Sequence, residues 1–368
     1  MAPRVVFLRS KSPAGIEPRL EKEATTLARA GYEVHVVLWD RTRSHRSEEI
    51  RDGIHIDRYQ LAAPEGERSL ALRLPRWWLH AARTAASLRP DVVHAVDFDT
   101  AWPARLAARL AGAKLVYDIF DFYSEMITAD LPHALRRFLA RAERRTIAAA
   151  DLVILPDLRR KIQFGGVEPR KVIEIMNVPE DRPGKAEPSE RFVVFYGGMI
   201  AKDRGLTQLV TACEAVGARL IVAGHGPDES ELLPDIETSP ASLYLGTVPY
   251  ADVLRQTASC HVVAALYDPT VPNNRLAAPN KVFEAMMLRK PVLVSDGIAI
   301  AELVRQVGCG LVVPYGDLEA LKAALERLML SPGDCDAMGA RGRAAFEARY
   351  NWAVMEARLL EAYRSLTG

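Results

Sequence analysis

The sequence predicts an α/β protein of two domains, each with a parallel β-sheet covered by helices on both faces. Short β-rich runs alternate with longer amphipathic runs along the 368 residues. The strand runs are continuously apolar, as expected for strands buried on both faces. A proline-rich segment at residues 178–190 interrupts the alternation. Two domains also suit the length, since one domain has roughly 100–200 residues.

The first half carries the alternation from its start. Strands are predicted at residues 5–8, 33–38, 91–95, 114–117, 152–155 and 172–175. Helices are predicted at residues 17–30, 74–88, 100–110 and 131–149. Gly31 ends the first of these helices, as a C′ glycine does. Residues 40–70 are polar and predict loops with short strands.

The second half repeats the order of strand, glycine-containing turn and helix. Its strands are predicted at residues 192–196, 219–223, 243–245, 261–266 and 291–295, and its helices at 206–216, 281–288 and 319–330. Residues 350–365 predict a terminal helix that either caps this half or crosses back to the first. We therefore expect Rossmann-like domains at 1–180 and 181–346, whose parallel sheets face a central cleft where ligands bind.

Composition and charge exclude several classes of protein. The chain is 49% hydrophobic and 26% charged, which is typical of a globular protein. Its net charge of +1 offers no general attraction for nucleic acid. The charge is uneven, because residues 1–180 hold 29 basic and 24 acidic side chains, whereas residues 181–368 hold 19 and 23. Two units with different partners are expected.

Cysteine spacing and hydropathy indicate the compartment. The four cysteines form no CxxC pair, so we expect buried free thiols in a reducing cytosol. The first apolar stretch is four residues long, too short for a signal peptide. No run approaches the ~20 apolar residues of a membrane-spanning helix. We expect a cytoplasmic protein, soluble or peripheral on the inner face of the cell membrane.

A glycine pair with two nearby cations follows the first predicted strand of the second half. Gly197 and Gly198 let a ligand approach the backbone. Lys202 and Arg204 stand at the start of the next helix, where the dipole favours anions. This pattern fits a phosphate group, and two solvated cations on a turn are the equal alternative. The first turn, residues 10–16, lacks the GxGxxG spacing of a dinucleotide site.

Residues 279–286, PNKVFEAM, form the sharpest pattern. Asn280 is a suitable N-cap. Lys281 places a cation in the first helical turn, where the dipole disfavours it and a bound anion would explain it. Glu284 lies one turn further and can accept hydrogen bonds from a ribose diol. A surface ion pair with Lys281 is the alternative.

Two further polar segments carry candidate ligands. The loop at 268–278 contains Asn273 and Asn274, which suit the recognition of hydroxyl groups. Asp97 and Asp99 follow a predicted strand, but no third ligand accompanies them. We therefore expect no metal site.

Two predicted helices combine arginines with large apolar side chains. Residues 72–89 hold Trp77 and Trp78, and residues 131–149 hold Phe138. The second helix also holds Arg136, Arg137, Arg141, Arg144 and Arg145. This combination is typical of helices that bind an anionic membrane surface. The alternative places the arginines in water and the tryptophans in the core.

These segments together resemble the retaining GT-B glycosyltransferases of family 4, the glycosyl transferases group 1, over essentially the full length. The resemblance is strongest at residues 279–295, PNKVFEAMMLRKPVLVS, with support from LVYDIFDFYSE at 115–125, AGHGP at 223–227 and GTVPYADVL at 246–254. It implies a GT-B fold with an acceptor-binding first domain and a second domain that binds a nucleotide sugar. It also implies that residues 347–368 contain a crossover helix on the first domain.

The resemblance implies a hexosyltransferase that uses a UDP- or GDP-type sugar. The acceptor would be a glycan, a lipid-linked compound or a small molecule, and the anomeric configuration would be retained. Fixed cations and helix amides can stabilise the leaving diphosphate, so neither a metal nor a cofactor is expected besides the nucleotide-sugar co-substrate.

The resemblance also assigns roles to single residues. Arg204, with Lys202 as a helper, would contact the diphosphate, and Glu284 would hold the ribose hydroxyls. Asp121 has no equivalent in the family pattern, but its carboxylate can accept a hydrogen bond from a donor or acceptor hydroxyl. The remaining donor contacts are expected from Gly15, Arg19, Gly198, Gly224, Gly226, Val248, Tyr250, Asn273, Asn274, Asn280 and Lys281.

The chain departs from the family pattern at two positions. Leu276 stands eight positions before Glu284, where the family has a first glutamate, and Phe120 stands where the family often has a histidine. These changes keep two alternatives open: a sugar-nucleotide epimerase of the same fold, and a non-catalytic partner that binds a nucleotide sugar. Few acids and no histidine near the predicted sugar site argue against the epimerase.

Overall fold

A computed structural model describes residues 2–10, 16–63, 67–122, 132–182, 184, 189 and 191–368, of which residues 67–71 by their backbone only. The chain groups into two units, Met1–Met176 with Met355–Gly368, and Asn177–Val354. The units thus divide at 176 and 355, where the sequence predicts boundaries at 180 and 346.

The first unit contains an eight-stranded sheet. Its strands are β1 (Arg4–Arg9), β2 (Glu33–Asp40), β3 (Glu48–Arg51), β4 (Ile54–Gln60), β5 (Val92–Val96), β6 (Lys114–Asp118), β7 (Leu152–Leu155) and β8 (Val172–Glu174). They lie in the order β3-β4-β2-β1-β5-β6-β7-β8. Among these strands only β3 and β4 pair antiparallel. The carboxyl ends of the parallel strands therefore lie along one edge.

A hairpin occupies the region where the sequence predicts loops with short strands. Asp52 and Gly53 join β3 to β4 with φ angles of 49° and 79°. A two-residue type I′ turn needs this left-handed conformation at both central residues, and Asp-Gly supplies it readily.

Helices cover this sheet. They are α1 (Pro18–Arg29), α2 (Glu67–Ser87), α3 (Phe98–Ala111) and α4 (His133–Ala149), with a 3-10 turn at Leu158–Phe164. Trp77 of α2 is fully buried, and its ring lies 5.9 Å from that of Trp39. The prediction that Trp77 inserts into a membrane is therefore wrong, because this ring packs in the core. Trp78 is half-buried, and its Nε1 donates to the carbonyl of Asp99 at 2.6 Å.

The second unit contains a six-stranded parallel sheet. Its strands are β9 (Val193–Gly197), β10 (Arg219–Ala223), β11 (Ser242–Tyr244), β12 (Val262–Ala265), β13 (Val292–Ser295) and β14 (Gly310–Val313), in the order β11-β10-β9-β12-β13-β14. The central strands β9, β12 and β13 are buried throughout. The predicted α/β class with two parallel-sheet domains is confirmed.

The helices of the second unit alternate with its strands. They are α5 (Leu206–Val216), α6 (Glu229–Thr238), α7 (Tyr250–Ser259), α8 (Pro272–Arg275), α9 (Asn280–Met287), α10 (Ala299–Val307), α11 (Leu318–Leu330) and α12 (Pro332–Ala348). A 3-10 turn at Lys202–Arg204 precedes α5. Helix α8 lies within residues 268–278, which the sequence predicts to be a loop.

The terminal helix α13 (Trp352–Thr367) belongs to the first unit from Met355 onward. Tyr363 is fully buried there, with its hydroxyl 2.5 Å from His94 Nδ1. Lys171 donates to the Ser365 hydroxyl at 2.7 Å. Within the described residues, every helix is too short or too polar to cross a lipid bilayer.

Candidate functional site

Three strand ends of the second unit bring glycine-containing loops close together. Gly198 N donates to the Ala223 carbonyl at 2.8 Å, just past the ends of β9 and β10. A Cβ at Gly224 would lie 1.9 Å from the Gly198 carbonyl oxygen, and one at Gly226 would lie 2.1 Å from that of Ile200. Only glycine fits at positions 224 and 226, because the neighbouring backbone occupies the space of a side chain. The carboxyl edge of a parallel sheet is where such folds bind ligands.

Lys281 points into this region from the first turn of α9. Its side chain is 9% exposed, and its Nζ lies 3.6 Å from the centre of the Tyr196 ring. Among the described residues this ammonium has no hydrogen-bond partner. A Cβ at Gly198 would come within 3.0 Å of it. An unpaired buried cation is costly, so this group is poised for an anion.

Burial and, to a smaller extent, the nearby charge of Arg204 together lower the pKa of Lys281 to about 7. Glu284 opposes both effects. The ammonium is therefore easily deprotonated in the unliganded protein, and an anionic ligand would restore its charge.

Arg204 is held in place by three side chains. Its Nη1 donates to Asn274 Oδ1 at 3.0 Å and to Asp203 Oδ2 at 2.5 Å. Its guanidinium carbon lies 4.2 Å from the centre of the Tyr267 ring. Asn274 is 2% exposed and donates to Asp203 Oδ2 at 2.8 Å and to the Asp268 carbonyl at 3.0 Å. Both amide hydrogens of Asn274 are thus used within the protein, which makes it a positioning residue for Arg204, and its predicted contact with the donor stays a prediction.

Glu284 lies one turn after Lys281 on α9 and is 6% exposed. The hydroxyl of Tyr250, at the start of α7, donates a hydrogen bond to this carboxylate. Burial and the charge of Glu284 both raise the pKa of Tyr250. The alternative of a solvated surface acid therefore does not apply to Glu284.

Two turns predicted to line a nucleotide base are hydrogen-bonded to each other. Gly224 N donates to the Gly246 carbonyl at 2.8 Å. Thr247 Oγ1 lies 3.2 Å from His225 Nδ1. Val248 follows them and is half-buried.

Lys202, Asn273 and Asn280 have less definite environments. Lys202 Nζ pairs with Glu231 at 2.6 Å, and the side chains of both are largely exposed. Asn273 is half-buried in α8. Asn280 is exposed and is the first helical residue of α9, preceded by Pro279 at the N-cap position. The prediction that Asn280 is the N-cap is therefore wrong, because the extended backbone of Pro279 already occupies that place.

Arg19 and Asp121 belong to the first unit. Arg19 is 2% exposed and donates to Glu23 at 3.0 Å and to Asp118 at 2.6 Å. These carboxylates hold its guanidinium within the first unit, and its predicted place near the donor stays a prediction. Asp121 is half-buried and lies 3.4 Å from Arg160 Nη2. Gly15 lies outside the described residues.

Phe120 and the Asp97–Asp99 pair lie near the same sheet edge. Phe120 stacks against the guanidinium groups of Arg19 and Arg9, at 4.4 and 5.1 Å. Asp97 pairs with Arg9 and accepts the Phe120 N–H at 2.9 Å. Asp99 accepts the Ser10 hydroxyl. Both carboxylates therefore already have partners within the protein.

A buried titratable cluster missed by the sequence reasoning surrounds Arg19. His94 Nε2 lies 3.7 Å from Glu23 Oε2 and 3.6 Å from Asp118 Oδ2, and all three side chains are fully buried. Burial raises the pKa of both Glu23 and Asp118 to about 7, and it lowers that of His94 to about 4. The atoms of these three side chains that could bind a metal lie within 4.8 Å of one another, and Arg19 pairs with both carboxylates.

The raised pKa of Glu23 predicts a pH-dependent stability difference. Between about pH 4 and pH 7 the folded state holds more protons at this site than the unfolded chain, so this group's contribution to the free energy of unfolding falls as pH rises. Glu23→Gln removes that penalty. We expect its Tm to rise relative to wild type from pH 5 to pH 8, whereas Glu21→Gln on the same helix shows no such trend. A constant Tm difference for Glu23→Gln would contradict the assignment.

Two family models match successive parts of the chain. Residues 14–177 match the glycosyl transferase 4-like domain, and residues 190–331 match the glycosyl transferases group 1. Among solved structures, sucrose-phosphate synthase from Thermosynechococcus elongatus is similar over 99% of both chains, with a TM-score of 0.83 and 17% identity. HepE from Anabaena in complex with UDP-glucose is similar over 98% of this chain and 99% of that one, with a TM-score of 0.74 and 17% identity.

Two curated proteins are similar in sequence. An alpha-maltose-1-phosphate synthase of Mycolicibacterium smegmatis is 25% identical over 61% of this chain and 66% of its own length. A GDP-mannose-dependent monoacylated alpha-(1-6)-phosphatidylinositol monomannoside mannosyltransferase of Corynebacterium glutamicum is 29% identical over 47% of each chain. The match thus spans less than two thirds of either relative. By its two domain matches and its fold, the chain belongs to the GT-B glycosyltransferases, with a glycosyl transferase 4-like domain followed by a group 1 domain.

Proposed function

We propose that this chain transfers a hexosyl group from a UDP- or GDP-type sugar to a glycan, lipid-linked or small-molecule acceptor, with retention and without a metal. The observation that carries the proposal is the buried, unpartnered ammonium of Lys281 beside Arg204 at the carboxyl edge of the second sheet. The relatives support the donor class, since one is named as GDP-mannose-dependent and a structural neighbour was solved with UDP-glucose.

Breaking a glycosyl–phosphate bond develops negative charge on the leaving diphosphate. Arg204 and Lys281 would stabilise that charge, and their partial burial strengthens the interaction. Asp203 and Asn274 fix the guanidinium of Arg204 before the ligand arrives, so little reorganisation is needed during reaction. Lys202, paired with Glu231 in solvent, would assist only through longer-range attraction.

The rest of the donor would lie across the same edge. Glu284 would accept the ribose hydroxyls, with Tyr250 orienting its carboxylate. Gly198, Gly224 and Gly226 would let the donor approach the backbone. The turns at 224–226 and 246–248 would contact the base. We assign the acceptor to the first unit, where Asp121 would accept a hydrogen bond from a sugar hydroxyl.

The two alternative functions make different predictions for the donor. The match of both domains to glycosyl transferases favours transfer over epimerisation. Leu276, half-buried after α8, supplies no carboxylate, which keeps a non-catalytic nucleotide-sugar-binding partner as an outcome of the test. Incubation with UDP- and GDP-sugars and a set of glycan, lipid-linked and small-molecule acceptors, followed by NMR of the products, separates transfer with retention, isomerisation and binding alone.

Donor binding is expected to take up a proton at Lys281. At pH 8 a group with a pKa of about 7 is mostly neutral, and a bound diphosphate raises that pKa. Calorimetry in HEPES and Tris, which differ in ionisation enthalpy, should report uptake approaching one proton for each UDP or GDP bound. Lys281→Arg should bind without uptake, because arginine stays charged. Equal binding heats for wild type in both buffers would contradict the role of Lys281.

The rate of transfer is expected to change less than about twofold when EDTA is added. Asp97 and Asp99 are occupied by Arg9 and Ser10, and the cations of the second unit already stabilise the diphosphate. Initial rates with and without EDTA, and after addition of Mg²⁺ or Mn²⁺, measure the effect. A strict requirement for either ion would contradict this expectation and would indicate that Asp97 and Asp99 bind a metal.

Peripheral membrane binding through α4 forms part of the proposal. Phe138 is 63% exposed, and Arg137, Arg141 and Arg145 are exposed on the same helix. Each basic residue near an anionic leaflet contributes about 1 kcal/mol. Co-sedimentation with phosphatidylglycerol vesicles should exceed that with phosphatidylcholine vesicles and fall at high salt. Equal sedimentation with the two kinds of vesicle at low salt would contradict binding to an anionic membrane surface.

A further inference from the structure

A cavity of about 270 Å³ lies at the carboxyl edge of the first sheet. It is lined by one side of α4, by Phe122 after β6 and by Gln163 in the 3-10 turn after β7. Pockets that enclose a whole small-molecule ligand measure roughly 300–1,000 Å³, so this cavity suits one end of a larger substrate.

Three arginines of α4 line this cavity: Arg136, Arg137 and Arg144. None of them forms an ion pair with another described residue. Arg136 Nε is buried without a partner. The guanidinium of Arg144 lies against Gly165, where a Cβ would come within 2.6 Å of its Cζ. Because Gly165 has no side chain, the guanidinium of Arg144 can lie directly beside it.

Helix stability does not explain these positions. Helix α4 begins at His133, so Arg136 and Arg137 close its first turn, where the dipole disfavours cations. The one acid among the described lining residues is Glu143, which is 2% exposed and accepts the Tyr117 hydroxyl at 3.4 Å. Among the described residues that line the cavity, positive charge is therefore in excess.

A second basic cavity shows the contrast. Arg105, Arg109, Lys114 and Arg170 line a cavity at the start of β6, the amino edge of the same sheet. There Asp151 pairs with Lys114 at 3.6 Å and with Arg170 at 2.8 Å. That cavity lies at the edge opposite to the one where folds of this class bind ligands. The cavity beside α4 lies at the carboxyl edge, and its arginines form no ion pair with a described acid.

We propose that the cavity formed by Arg136, Arg137 and Arg144 binds a phosphate group of the acceptor. This inference rests on the proposed function, since it names the acceptor class of that transferase. Arginine forks match phosphate oxygens in pairs, and a dianionic group balances more than one of them. The phosphate could belong to a soluble sugar phosphate or to a lipid-linked phosphate, which offer the same chemistry to the cavity.

The test uses the full chain saturated with whichever of UDP or GDP it binds, so that the donor site is filled. Inorganic phosphate is titrated by calorimetry into wild type, into Arg136→Gln with Arg144→Gln, and into Arg29→Gln. Arg29 is an exposed arginine of α1 outside the cavity lining. We expect the double variant to bind phosphate at least about tenfold more weakly, with wild-type affinity in Arg29→Gln and unchanged nucleotide affinity in all three.

The source of the phosphate is tested by competition. Glucose 1-phosphate displacing inorganic phosphate from wild type indicates a soluble acceptor, and displacement only by phosphatidylglycerol vesicles indicates a lipid-linked one. No phosphate binding by wild type, equal binding by the double variant at unchanged Tm, or no displacement by either competitor would overturn the inference. Absence of UDP and GDP binding in wild type would instead reject the proposed function, and the two failures are thus distinguishable.

Discussion

Arg204→Ala is expected to lower the rate of glycosyl transfer by about 100- to 1,000-fold, the range seen when one preorganised donor to a developing negative charge is removed. The guanidinium is held over the Tyr267 ring by Asp203 and Asn274, so it is already placed when the bond to the diphosphate begins to break. The charge on the leaving group is larger in the transition state than in the bound donor. The loss should therefore appear mainly in kcat.

Two further variants make this result interpretable. Asn274→Ala should lower kcat less than Arg204→Ala, because it removes only the support of the guanidinium. Arg255→Ala, an exposed arginine of α7 paired with Asp252, should leave kcat unchanged. kcat is measured in single-turnover reactions, and the donor Kd by calorimetry. An Arg204→Ala enzyme with normal kcat, or with a Kd raised as much as kcat is lowered, would show that Arg204 has no special role in the transition state.

The features that the sequence predicted best are local ones. Lys281 and Glu284 lie three residues apart at the start of a helix, so helical periodicity alone puts them one turn apart at the end that attracts anions. The glycine pair after β9 was predicted because strand, turn and helix follow one another directly in the sequence. The buried parallel strands follow from their continuous apolar runs.

The contacts that the sequence did not predict join distant residues. Arg204 and Asn274 are seventy residues apart, and the Arg19–Asp118 pair is separated by ninety-nine. Neither partner carries a local signal of the other, because the pairing depends on which strand ends become neighbours in the sheet. The resemblance placed Arg19 near the donor, and only the structure shows that Glu23 and Asp118 pair with it.

Trp77 illustrates the limit of composition as a guide. Its neighbouring arginines predict a membrane surface, whereas the ring packs against Trp39 from another element. Tyr267, which stacks on Arg204, could have been proposed from the sequence. It is an aromatic residue two positions beyond a buried strand, at the sheet edge where ligands bind.

Glu284→Ala is expected to weaken UDP or GDP binding by about 100-fold, because hydrogen bonds to a charged group contribute about 1.5–3 kcal/mol each. The carboxylate is 6% exposed and oriented by Tyr250, so the vicinal ribose hydroxyls would lose a preorganised acceptor that water replaces poorly. Glu284→Gln keeps the size and one acceptor oxygen, and it should lie between Glu284→Ala and wild type.

Binding of a nucleotide that lacks the 2′-hydroxyl tests whether the lost affinity comes from contacts with the ribose. Wild type should bind 2′-deoxy-UDP or 2′-deoxy-GDP about tenfold more weakly than the ribonucleotide, whereas Glu284→Ala should bind both forms alike, since the partner of the missing hydroxyl is then gone. Tyr250→Phe is the matched control for orientation, because it keeps the ring and the carboxylate and removes only the hydrogen bond between them. It should weaken ribonucleotide binding by less than Glu284→Ala and keep part of the preference for the 2′-hydroxyl. If Glu284→Ala retained the full preference, the acceptor of the ribose hydroxyls would have to be another side chain, and the donor would lie differently across the carboxyl edge of the second sheet.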